Sequence, residues 1–123
     1  MRYLLLLSEE DPDFWARAGQ AERTALMDAH AAFDQAVRER GRLLAGEALE
    51  DVAAARTLRT LAGRRVFTDG PYAESTEHLG GVYLVEVDGP ETLEDLIRLL
   101  PDHYVVEVRP AVPVAGYDYG DRA

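Results

Sequence analysis

Three short segments of this chain carry apolar residues at consecutive positions: Leu4 to Leu7, Val82 to Val85, and Val105-Val106. Side chains on a strand point alternately to the two faces of a sheet, so runs of this kind make both faces apolar. Helical periodicity is available to cover them only twice. Leu26, His30, Phe33 and Val37 share one stripe of a helix predicted from Ala21 to Arg40. Leu93, Leu96, Ile97 and Leu100 share another, opened by Gly89-Pro90-Glu91 and closed by Pro101. Two helices cover one face of a sheet. At about 25 cal/mol per Å² of apolar surface, leaving the other face in water forfeits many kcal/mol. A second copy of the same chain is the simplest cover, and a homodimer is expected on that ground.

The remaining pattern supplies the order of elements. Tyr3 to Leu7 reads as the first strand, and Asp11-Pro12-Asp13 leads into a short helical turn ended by Gly19. Gly41 stops the long helix, where a residue free to take positive φ is wanted. Leu43 to Leu49 reads as a weaker strand. Arg56 to Leu61 and Arg64 to Thr68 flank Ala62-Gly63 as a tight hairpin. A loop is expected from Asp69 to Leu79, then strands at Gly81 to Val87 and Tyr104 to Arg109. Strand, helix, strands, helix, strand is the order of an α+β, ferredoxin-like split βαβ with an added hairpin. One domain over residues 1–110 is expected, followed by a loosely held tail over residues 111–123.

Charge and composition narrow the chemistry. Acidic residues outnumber basic ones 23 to 13, a net charge of -10, which repels phosphate backbones and anionic lipid surfaces. No nucleic acid and no membrane partner is expected. The apolar N-terminal run ends at Glu9-Glu10-Asp11, too soon for a signal peptide, and no run approaches a membrane span. There is no cysteine, which fits a reducing cytoplasm and removes thiolate chemistry; every basic residue is arginine, which removes lysine Schiff bases. The three histidines lie far apart in sequence, so neither a metal nor another cofactor is expected. Nothing matches a phosphate loop or a nucleophile elbow.

Two places carry candidate chemistry. His30 sits on the apolar stripe of the long helix, where alanine or leucine would pack at lower cost. It is either a general acid–base or ligand-anchoring group, or a packed histidine satisfied by a neighbour such as Asp34, one turn on. Asp69-Gly70-Pro71-Tyr72 can hold a carboxylate in one orientation, since Gly70 permits unusual φ and Pro71 fixes the next. Asp69 facing His30 would orient the ring; the alternative is an ordinary turn bonded to its own backbone. A carboxylate against the ring would raise the His30 pKa, and burial would oppose that rise.

Thr68-Asp69-Gly70-Pro71-Tyr72-Ala73-Glu74, with Glu77 and Leu79-Gly80-Gly81 downstream, resembles the signature of DGPF-domain proteins within the YCII-related family. Tyr72 stands where that signature usually has Phe, and Thr76 where it usually has Lys. His30 with Ala31-Ala32-Phe33, Ala45-Gly46-Glu47-Ala48-Leu49 and Val106-Glu107-Val108-Arg109-Pro110 extend the likeness over most of the chain. The resemblance implies a bacterial, cytoplasmic protein that pairs as a dimeric α+β barrel. It implies His30 and Asp69 as a catalytic pair near the dimer cleft, with Gly70, Pro71, Tyr72 and Glu74 around a small-molecule ligand. The expected function is a small-molecule-binding protein or enzyme using that pair. A non-catalytic interaction module in regulation, linked to an alternative sigma factor, is the other reading; family likeness supplies no mechanism for it.

Overall fold

The protein, seen in a computed structural model, is described over residues 1–72 and 78–117. Its elements are β1 (Arg2–Glu9), α1 (Phe14–Arg17), α2 (Gln20–Arg40), β2 (Arg42–Ala48), β3 (Arg56–Leu61), β4 (Arg64–Asp69), β5 (His78–Glu86), α3 (Pro90–Ile97) and β6 (Tyr104–Pro110), with a 3-10 turn at Val52–Ala54. Two antiparallel sheets result: four strands in the order β2-β5-β1-β6, and the separate hairpin β3-β4.

The consecutive apolar runs behave as pleat geometry requires. Tyr3, Leu5 and Leu7 of β1 and Tyr83 and Val85 of β5 point to one face and are buried, while Leu4, Leu6, Val82 and Leu84 point to the other and are partly open. Helices α2 and α3 lie on the first face. They close a core of Phe33, Val37, Leu93, Leu96 and Leu100 against Leu5 and Val85. The expected dimeric α+β barrel is corrected here. Among the described residues the four-stranded sheet is open, with β2 and β6 at its edges, and the hairpin forms a sheet of its own. The architecture is an α+β fold of two antiparallel sheets.

Two glycines do different work from that read in the sequence. Gly41 has φ -178, so positive φ is not its purpose. A Cβ there would fall 2.2 Å from the Glu86 carbonyl oxygen, so glycine lets the helix end pass close over β5. Gly19 opens α2 rather than closing α1, and its N–H donates to the Glu22 carboxylate at 3.2 Å. The hairpin turn matches its residues. Ala62 (φ 51) and Gly63 (φ 79) both take the left-handed conformation that a two-residue turn needs to follow strand twist. Strand β5 starts at His78, three residues before the expected Gly81. Gly80 is the residue skipped in the β1–β5 register between Leu7–Gly81 and Ser8–Leu79. Bulges of this kind re-aim strands beside sites.

Candidate functional site

The apolar stripe of α2 divides in two. Phe33 and Val37 are buried in the core, whereas Leu26 and His30, nearer the N-terminus, reach a cavity of about 420 Å³. Trp15 of α1, Met27 and Asp34 of α2, Gly46 and Glu47 of β2, and Tyr83 and Tyr104 join them in its walls.

His30 is held at both ring nitrogens. Its Nδ1 is 2.8 Å from the Tyr83 hydroxyl and its Nε2 is 3.3 Å from the Tyr104 hydroxyl. Tyr83 is fixed in turn by the tilted Phe33 ring at 4.7 Å and by the bare backbone of Gly46, where a Cβ would lie 2.8 Å from the tyrosine ring. Tyr104 packs on His103 at 4.3 Å, and His103 stacks on Phe14 of α1 at 4.3 Å. One helical turn, one glycine and two strands thus position a single imidazole.

Burial sets the electrostatics. It lowers the His30 pKa; the Asp34 carboxylate opposes that shift and His103 adds to it. Burial, then the Asp34 carboxylate, holds the Tyr83 hydroxyl well above the usual tyrosine range. Burial, then Glu9, raises Tyr104. Near neutral pH the site therefore holds a neutral imidazole between two protonated phenols. The Asp34 carboxylate lies beside the Tyr83 hydroxyl, with its Oδ1 buried.

Asp69 lies elsewhere. It ends β4 with its side chain 95% exposed, and Arg56 Nε is 3.7 Å from its carboxylate. It is absent from the cavity wall, and both His30 nitrogens are taken by tyrosines. The rise in the His30 pKa that a facing carboxylate would give is replaced by a fall. Gly70 takes φ +95, donates its N–H to the Ala55 carbonyl at 2.7 Å and accepts the Thr57 hydroxyl at 2.8 Å, which ties off the hairpin base. Pro71 borders a shallower groove with Val52, Ala54 and Leu79. Tyr72 is 77% exposed beneath the Arg59 guanidinium. Glu74, with the rest of residues 73–77, lies outside the described residues.

Sequence reasoning missed Tyr83, Tyr104, Trp15 and Glu47. The available signal was Tyr83 itself, a hydroxyl-bearing ring in register with Leu5 on the helix-facing side of a strand otherwise built of aliphatics. Among the described residues no three ligand-type side chains converge as a metal site, and no helix is long and apolar enough to cross a membrane.

Comparison with curated proteins finds no match. The sequence pattern of the YCII-related domain does match, over residues 1–114. That span contains both sheets, all the helices and every wall of the His30 cavity, and the chain belongs to the YCII-related domain family.

Proposed function

We propose that this protein binds a small molecule in the His30 cavity and transfers a proton to or from it. The observation that carries the reading is the engagement of both imidazole nitrogens by tyrosine hydroxyls on a cavity wall. A neutral imidazole has one N–H, so it donates to one tyrosine and accepts from the other. When Tyr104 accepts, its own O–H is left for a ligand; when Tyr83 accepts, its O–H turns to the Asp34 carboxylate. Shifting the ring proton to the other nitrogen exchanges the two roles. A base with a pKa below the ordinary histidine value is unprotonated at neutral pH and ready to accept a proton. With no cysteine or lysine in the chain, proton transfer or assisted hydrolysis is favoured over covalent catalysis.

In this reading His30 is the acid–base group, and Asp69, within the DGPF-like segment, orders the hairpin base. Trp15 is the one tryptophan and lies in the cavity wall, so its emission reports occupancy. A fragment screen read by that emission should find ligands. For a bound carbon acid, exchange of solvent deuterium into the ligand should disappear in His30→Gln and persist in Asp69→Asn. Exchange that survives His30→Gln would overturn the acid–base role. Loss in Asp69→Asn with folding intact would restore the His30/Asp69 pair.

A second reading, an interaction module, is favoured by the hairpin. Leu58, Val66 and Phe67 (58% exposed) stand open on it, more apolar surface than a solvated hairpin needs. Co-elution of a purified alternative sigma factor with the wild-type protein but not with Phe67→Ser would support it.

A further inference from the structure

The charge of the cavity wall specifies the ligand further, given that the cavity is a ligand site. Leu7, Trp15, Leu26 and Met27 supply the apolar part. Asp34 is the carboxylate that the described wall turns to the cavity, since Glu47 pairs with Val82 and carries its side chain on the other face of the sheet; no arginine is among the described lining residues. Arg23 approaches Trp15 from outside, its guanidinium 4.8 Å from the ring centre and its Nε and Nη2 donating to the Trp15 carbonyl at 3.1 and 2.8 Å. His30 and the two tyrosines add hydrogen-bonding groups. Asp34 Oδ1 is buried, with the Tyr83 hydroxyl beside its carboxylate, and a bound N–H donor would satisfy that oxygen more fully. An anion would meet the Asp34 carboxylate and no described compensating charge in the wall, whereas a cation would neutralise it.

We propose that the cavity takes an amphipathic organic amine, its ammonium at Asp34 and its apolar body against Leu26, Met27 and Trp15. The test uses three probes of one shape: 2-phenylethylamine, 2-phenylethanol and phenylacetate. Each is titrated into the full chain at neutral pH by Trp15 emission and by calorimetry. The amine should bind at least about tenfold more tightly than the alcohol, with phenylacetate weakest. Asp34→Asn should bring amine and alcohol to within about threefold of each other while leaving the alcohol unchanged. Glu47→Gln, which removes a carboxylate from the other face of the sheet, should leave the amine preference as it is. Thermal melts of both variants establish that they fold. Alcohol or phenylacetate binding as tightly as the amine would overturn the amine assignment and leave the ligand cavity standing. An amine preference that survives Asp34→Asn would overturn it too. If none of the three probes binds, the amine assignment falls, and the fragment screen decides the cavity reading separately.

Discussion

Burial drives His30 toward the neutral base, and the direction of that shift sets how stability responds to pH. An unfolded histidine titrates near about 6.5, and the folded ring titrates lower. Above the unfolded value neither state binds the proton, and the contribution of the neutral ring is complete. As pH falls below it, the unfolded chain takes up a proton that the folded ring refuses, and stability is lost until the folded pKa is passed. Urea midpoints measured from about pH 7.5 to about pH 5 should therefore fall more steeply for the wild type than for His30→Gln. Tyr83→Phe leaves His30 Nδ1 without its partner at 2.8 Å and should cost about 1–2 kcal/mol in urea unfolding. Tyr104→Phe removes a longer bond of 3.3 Å and should cost less. His30 was legible because a polar ring on an apolar helical stripe needs a reason. Its tyrosine partners were not, since an aromatic residue in a strand is what ordinary β preference selects. The separation of Asp69 from His30 was hidden for another reason: a hairpin's local pattern does not encode where it stands relative to a helix.

Among the elements, the hairpin was the most readable and the least integrated. Its register runs from Arg56–Asp69 to Leu61–Arg64 around Ala62-Gly63. Ala62 pays for φ 51, because a Cβ crowds the following carbonyl in left-handed backbone. Ala62→Asn should relieve that cost and slow amide hydrogen exchange within β3 and β4, while exchange in β1 and β5 stays as it was. Equal slowing in both sheets would show that the hairpin opens only with the whole domain. Strand β2 offers the converse case. Gly46 read as one residue in a family-like stretch, yet its missing Cβ is what seats Tyr83 against the strand. Gly46→Ala should displace the tyrosine ring, weaken ligand binding and lower stability by about 1–3 kcal/mol, measured by fluorescence titration and urea unfolding. The purposes of Gly41 and Gly46 depend on atoms some 40 residues away in sequence, beyond the reach of any local pattern.

For the whole molecule, the sheet face away from the helices carries Leu4, Leu6, Val82, Leu84 and the exposed Val105. We propose that a second copy of the chain covers this face. Light scattering at micromolar concentration should give twice the chain mass, and Leu84→Glu should give the monomer. Each chain carries a net charge of -10, so added salt should tighten pairing by screening repulsion. A monomer under all conditions would overturn it. The register shift between Leu43 and Ala45 in β2 has a further consequence, because an open sheet invites sideways growth. The bulge leaves backbone groups on that border out of step with a straight incoming strand. The β6 border carries Glu107, Arg109 and finally Pro110, which offers no N–H. The bulge and Pro110 each shorten the stretch of border that a straight incoming strand can pair with, which works against sideways growth of this sheet at high concentration.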